Sequence, residues 1–92
     1  MRTFKVEYDG TELAWKTEEI ELKRDVYIIV TLSEAGKVVV RQQLRNGKWP
    51  RIPIRRHKDT NEFHFRINVA PESVKIQIFT STKPKEIKYA YI

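Results

Sequence analysis

Apolar and polar residues alternate along most of the chain, which is the period of a β-strand with one buried face. The clearest run covers residues 26–32, where four apolar side chains share one face: Val26, Ile28, Val30 and Leu32. The other face carries Tyr27, Ile29 and Thr31, so we predict a central strand that is covered on both sides. No window has the spacing of a long amphipathic helix, and residues 11–19 are the only place for a short helical turn.

The alternating runs are separated by turn signals at spacings of roughly 8–12 residues, which predicts about seven or eight short strands. This pattern is typical of an all-β protein, and we predict one antiparallel β-sandwich domain over residues 1–92. We assign the sandwich to the immunoglobulin-like class by architectural analogy, since the Cys–Trp–Cys pattern of that class is absent. A small closed β-barrel is the alternative.

The excess positive charge of the chain lies in the segment 41–58, RQQLRNGKWPRIPIRRHK. This segment contains seven Arg or Lys residues and no acid, whereas the other 74 residues carry 11 basic and 12 acidic side chains. The net charge of +6 is therefore concentrated in one segment, around a tryptophan and two prolines.

The segment is predicted to form a hairpin, and its apolar residues decide the register. Asn46-Gly47 favours a two-residue turn, but that pairing leaves the apolar faces of the two strands out of alignment. A shift of one residue places Val40 opposite Ile52 and leaves a three-residue loop. We predict this second register, with Gly47 in the left-handed conformation of a G1 bulge.

In this register the outward face of the hairpin collects arginine and tryptophan side chains. Arg41 lies opposite Arg51, and Trp49 lies opposite Gln43 beside both arginines. Pro50 and Pro53 each remove a ladder donor, which marks their strand as an edge or bulged strand. Trp and Arg are the residues most enriched at interface hot spots. The predicted binding residues, which we call the basic face, are Arg41, Gln43, Trp49, Arg51, Pro53 and Arg55.

A structural interpretation of the basic face competes with a binding role. Basic residues protect an exposed strand edge from other chains, and Trp49 would fold over Val39 and Pro53. Acids on a neighbouring strand would then neutralise the arginines, and the candidates are Glu18, Glu19 and Glu21. Their contact with the arginines separates the two interpretations, because a neutralised face is structural.

Residues with catalytic or metal-binding chemistry are sparse. His57 lies in a basic run and His64 alternates with Phe63, and neither has a Cys or a spaced carboxylate as a partner. No serine lies in a G-x-S-x-G elbow, and no glycine-rich phosphate loop is present. We predict no enzyme activity, no metal and no cofactor.

The sequence does not specify a compartment. It contains no Cys, residues 1–20 show no signal peptide, and no apolar run approaches the roughly 20 residues that span a membrane.

Three functions from different classes fit these features. The first is a non-catalytic interaction or assembly module that acts through protein–protein contacts of the basic face, as in a surface or virion-type assembly. The second is single-stranded nucleic-acid binding by the hairpin 41–58, with Trp49 stacked on a base. Its phosphate contacts would be Arg41, Arg45, Lys48, Arg51, Arg55 and Arg56. The third is carbohydrate recognition by Trp15 or Trp49.

Overall fold

A computed structural model describes residues 1–55 and 60–92, and these residues contain ten β-strands and no helix. The strands are β1 Arg2–Thr3, β2 Val6–Asp9, β3 Ala14–Thr17, β4 Ile20–Glu21, β5 Val26–Leu32, β6 Val38–Leu44, β7 Arg51–Ile54, β8 Glu62–Ile67, β9 Ser73–Thr80 and β10 Pro84–Tyr91. The number exceeds the seven or eight that the sequence predicts, because the two-residue strands β1 and β4 pair beside longer ones.

The strands form two antiparallel sheets that pack together. The four-stranded sheet has the order β1-β10-β5-β8, and the six-stranded sheet has the order β2-β3-β9-β6-β7, with β4 also paired to β9. No ladder joins the two sheets within the described residues, so they do not close into a barrel. The predicted all-β sandwich is confirmed, and its immunoglobulin-like assignment stays a prediction.

The core lies between the two sheets and is built from the predicted apolar faces. Val26, Ile28 and Val30 of β5 are fully buried, and Ile76 and Ile78 of β9 face them from the other sheet. Strand β5 is central in its sheet, as predicted, between β10 and β8. The second face of β5 carries Tyr27, Ile29 and Thr31 and is the outer surface of the sandwich. These side chains are only half-buried, because only neighbouring side chains shield them.

The hairpin of β6 and β7 adopts the predicted register. Val38 pairs with Ile54, and Val40 pairs with Ile52. The Gly47 N–H donates to the Leu44 carbonyl at 2.9 Å, and the φ of Gly47 is 86°. The left-handed glycine and the three-residue loop of the prediction are therefore confirmed.

The region of residues 11–19 forms no helical turn. The chain turns after β2, where an Asp9 carboxylate oxygen accepts hydrogen bonds from the Thr11 and Glu12 N–H groups at 2.9 and 3.1 Å. It then enters β3, whose Trp15 is half-buried beside the Tyr8 ring, 5.3 Å away between centroids. Tyr8 itself is 52% exposed, because β2 is the end strand of its sheet.

Candidate binding surface

The basic face lies on the outer side of the six-stranded sheet, at the end formed by β6 and β7. Arg41 is directly opposite Arg51, and Val39 is directly opposite Pro53. Strand β7 is the last strand of this sheet, so the predicted edge position is confirmed. The juxtaposition of the two arginines follows from the register that the apolar residues select.

Pro53 lies at a position of β7 where a proline removes a hydrogen-bond donor from the free edge of the sheet. The Gln42 N–H donates to the Pro50 carbonyl at 3.2 Å and the Leu44 N–H to the Lys48 carbonyl at 2.9 Å. Because hydrogen-bonded pairs alternate along an antiparallel ladder, the backbone groups of Arg51 and Pro53 point away from β6. Pro53 has no N–H to offer there, and it thereby protects this edge from pairing with another strand.

Phe79 is the residue of this surface that the sequence analysis missed. It lies on β9 directly beside Val39 and is only 5% exposed, although its side chain is on the outer face and outside the central core. The guanidinium carbons of Arg41 and Arg51 lie 5.4 and 5.7 Å from the centre of its ring. The signal was present in the sequence, since an apolar side chain follows Ile78 at a position where the alternation calls for a polar one.

Arg51 is neutralised by an acid that was not among the predicted ones. Its Nη2 lies 3.1 and 3.0 Å from the two carboxylate oxygens of Glu12, in the turn between β2 and β3. The pair is partly solvent-exposed, with half of the Arg51 side chain accessible, so its contribution to stability is about 0–1 kcal/mol.

Glu18, Glu19 and Glu21, the candidate acids of the structural interpretation, do not pair with Arg51. Glu18 accepts a hydrogen bond from the Lys5 N–H at 3.2 Å, and a Glu19 oxygen lies 3.9 Å from the Lys75 ammonium. Glu21 is on β4, which pairs with β9, so β9 and β6 separate it from β7. These acids therefore lie across the sheet from the edge that carries Arg51.

Arg41 is a half-buried cation without a carboxylate partner among the described residues. Its guanidinium lies between the rings of Trp49, 5.0 Å away, and Phe79. Its Nε atom is buried and has no hydrogen-bond partner within the described part of the chain. Aromatic faces attract a guanidinium, but they do not satisfy its N–H donors. Because Nε itself is enclosed, an anion would meet Arg41 only through the accessible part of this half-buried side chain, where it would gain a favourable charge interaction.

Among residues 1–55 and 60–92, the remaining basic side chains of the hairpin do not form a continuous track. Arg45 is turned towards the loop after β8, where its Nε donates to the Pro71 carbonyl. Lys48 and Arg55 are exposed, and Gln43 is half-buried beside Lys75 of β9. The predicted phosphate contact Arg56 and the predicted metal candidate His57 lie outside the described residues.

An open cleft adjoins the basic face at the turn between β2 and β3. Its apolar wall is formed by Val39, Phe79 and Leu13, and its rim carries Lys37 and the ion pair of Arg51 with Glu12. The Leu13 side chain is 72% exposed, and its backbone has a φ of 54°, a conformation that is uncommon for a leucine. Apolar and cationic groups are thus available side by side next to Arg41.

No constellation for metal binding was found in residues 1–55 and 60–92: they contain no group of three or more His, Cys, Asp or Glu side chains that could hold an ion. His64 lies on the outer face of the four-stranded sheet, as predicted, with its Nδ1 3.1 Å from the Tyr27 hydroxyl and its Nε2 3.3 Å from a Glu62 oxygen. In the same residues no helix is long and apolar enough to cross a membrane.

Comparison of the chain with models of protein families, with curated proteins and with solved structures finds no match. The function is therefore argued from the geometry of the basic face.

Proposed function

We propose that the chain is a non-catalytic binding module that docks an acidic segment of a protein partner on the basic face. The observation that carries the proposal is Arg41, a half-buried cation that lies against the rings of Trp49 and Phe79 and has no carboxylate partner in the described residues. A carboxylate of the partner would supply the negative charge that Arg41 lacks among the described residues. In such a module the sandwich is the rigid support, and the partner contacts give the function.

The surroundings of Arg41 favour a protein partner over a single-stranded nucleic acid. A protein that binds a single strand places free cations along the phosphate backbone. Here Arg51 is paired with Glu12, and Arg45 is bonded to the Pro71 carbonyl. One face of the Trp49 ring is already occupied by Arg41. Side-chain carboxylates beside apolar groups fit the basic face and its cleft better than a regular series of phosphates and bases.

The tryptophans also argue against a sugar-binding platform, which needs open aromatic faces. The Trp15 ring is contacted edge-on by Tyr8 and lies 5.5 Å from the ammonium of Lys83. Trp49 is half-buried and stacked on Arg41. Both rings are thus engaged within the chain itself.

The test is an NMR titration of the ¹⁵N-labelled chain with a panel of short acidic peptides that also contain apolar residues. The Arg41 side-chain resonances are direct reporters, because this guanidinium has no carboxylate partner in the described residues. We expect saturable shifts at Arg41 and Trp49 and a loss of binding in Arg41→Gln. The matched control is Arg66→Gln, which removes an arginine of the other sheet that is already paired with Asp25.

Two results would contradict the proposal. One is binding that Arg41→Gln leaves unchanged. The other is a mixed-sequence oligonucleotide that binds more tightly than every peptide, loses affinity steeply as salt is raised, and depends on Lys48 and Arg55. That second result would establish the nucleic-acid alternative instead.

A further inference from the structure

The cleft beside the basic face is large enough to take one apolar side chain. Its floor is formed by Val39 and Phe79, which pair with each other on β6 and β9. The turn between β2 and β3 forms its wall, to which Leu13 contributes an apolar side chain. The volume of the cleft is about 210 Å³. An apolar cavity of about 150 Å³ holds a benzene molecule, so a leucine side chain fits here.

Leu13 is held at this cleft in an unfavourable backbone conformation. Its φ of 54° lies in the left-handed region, and it is the only non-glycine residue with a positive φ among residues 1–55 and 60–92. Glycine and asparagine adopt this conformation far more readily than leucine does. Burial within the chain does not compensate for the strain, since 72% of the residue is exposed. A strained and exposed apolar residue at a cleft therefore indicates a contact with a partner.

Two cations flank the cleft, and neither has a carboxylate partner among the described residues. Lys37 lies on the rim, and Arg41 lies against the ring of Phe79. The Lys37 carbonyl accepts a hydrogen bond from the Ser81 N–H at 3.0 Å, so Lys37 continues the ladder of β6 with β9. Because residues two positions apart share a face, the outer face of this segment presents Lys37, Val39 and Arg41 in that order.

The charge of these two cations is not cancelled by the acid of the cleft. Glu12 lines the cleft, but both of its carboxylate oxygens lie within hydrogen-bonding distance of Arg51. This ion pair is locally neutral, so Lys37 and Arg41 leave the borders of the cleft positively charged. The cleft thus combines an apolar floor with a positive charge on either side, which favours a segment that is apolar in the middle and acidic at both sides.

We propose that the acidic segment of the partner binds in an extended conformation along β6, with the pattern acid-x-apolar-x-acid. This specificity rests on the proposed function and defines its ligand. Alternate residues of an extended segment lie about 6.6 Å apart on one face, which is also the spacing of Lys37, Val39 and Arg41. The apolar side chain then enters the cleft, and each carboxylate lies beside one of the two cations.

The pattern reads the same from both ends, so the pairing of charges does not depend on the direction in which the segment runs. Leu13 covers the bound apolar side chain from the turn and adds to the apolar area that is removed from water. Exclusion of water also strengthens the neighbouring contacts between carboxylates and cations. The apolar residue and the two acids therefore act together.

An NMR titration of the ¹⁵N-labelled chain with three short peptides tests the pattern. The reference peptide is Glu-Thr-Leu-Thr-Glu with acetyl and amide ends, whose threonines favour an extended backbone. Replacement of its leucine by serine should weaken binding about five- to tenfold. The order Leu-Thr-Thr-Glu-Glu keeps the composition and the charge, and we expect a similar loss because the leucine no longer lies between the carboxylates.

Leu13→Asn separates a binding role of Leu13 from a structural one. Because asparagine adopts the left-handed conformation more readily, the variant should be at least as stable as the original chain in urea denaturation. It should nevertheless bind the reference peptide about fivefold more weakly, since the apolar cover of the cleft is lost. Its affinity for the serine peptide should be unchanged.

Lys37→Gln tests the cation on the rim. The variant should bind the reference peptide about two- to fivefold more weakly, as expected for an exposed charge pair. A further change of one peptide glutamate to glutamine should then have little effect, because the remaining carboxylate can still lie beside Arg41. Lys85→Gln removes an exposed lysine of β10 in the other sheet and is the matched control, which should bind as the original chain does.

The possible failures of the pattern and of the proposed function are distinguishable. Acidic peptides that bind through Arg41 with the same affinity when the leucine is replaced or moved overturn the pattern alone. A Leu13→Asn chain that keeps the full preference for the leucine peptide does the same. Binding that Arg41→Gln leaves unchanged, or the absence of binding by every acidic peptide, overturns the proposed function and the pattern with it.

Discussion

Arg41 and Arg51 lie directly opposite each other on β6 and β7, and both guanidinium groups lie against the ring of Phe79. Like charges that face each other across a ladder are unfavourable, and the shared aromatic ring and Glu12 offset this repulsion. The relief is unequal, because Glu12 neutralises Arg51 and leaves Arg41 without a carboxylate in the described residues. Of the two, Arg51 is the candidate edge-protecting residue and Arg41 is the candidate binding residue.

Phe79 should prove essential to the stability of the six-stranded sheet, although it is outside the central core. Phe79→Ala removes a ring that is 95% buried and should lower the free energy of unfolding by about 3–5 kcal/mol, as measured by urea denaturation. Phe79→Leu keeps most of the apolar volume and should cost clearly less. A cost below about 1 kcal/mol for the alanine variant would mean that the outer face collapses around the gap.

Gly36 should not accept a methyl group, in contrast to Gly10. A Cβ at Gly36 would lie 2.4 Å from the Thr82 hydroxyl oxygen, which donates a hydrogen bond to the Glu34 carbonyl at 3.2 Å. Gly36→Ala should therefore destabilise the chain by about 1–3 kcal/mol. Gly10→Ala meets no atom within 4 Å and should change stability by less than about 0.5 kcal/mol. Equal thermal midpoints for the two variants would contradict the close approach of these loops.

Stability should fall in acid partly through Asp25. Hydrogen bonds from the Arg66 guanidinium and from the Val69 N–H hold the pKa of its carboxyl below the ordinary value of 3.8. A carboxyl whose pKa is lower in the folded chain stabilises it above the unfolded pKa, and this contribution is lost as the pH falls through the folded pKa. The effect should therefore appear below about pH 4.

Urea midpoints measured from neutral to acidic pH check this expectation. Asp25→Asn should be less stable than the original chain at pH 7 and should lose less stability on acidification. Glu34→Gln, a change at an exposed site, is the control. The same acid dependence in Asp25→Asn and in the original chain would show that Asp25 does not contribute.

Local sequence determined the strands and the hairpin. Alternation alone identified the buried face of β5, and the apolar residues of β6 and β7 together with Gly47 identified the correct hairpin register. These features are local, since side-chain period and turn chemistry act over a few neighbouring residues. The opposition of Arg41 and Arg51 therefore followed from the sequence.

The surroundings of that pair were decided by the tertiary structure. Phe79 reaches the arginines because β9 lies next to β6, and Glu12 reaches Arg51 because the β2–β3 turn comes to the same surface across 39 positions of the chain. The sequence analysis offered Glu18, Glu19 and Glu21 as candidates, and these acids lie on the far side of β9. The order of strands in a sheet depends on packing between distant segments, and a pattern within one segment does not contain it. For that reason the sequence located the basic face, while only the fold showed that, of the opposed pair, Arg51 has a carboxylate partner and Arg41 has none among the described residues.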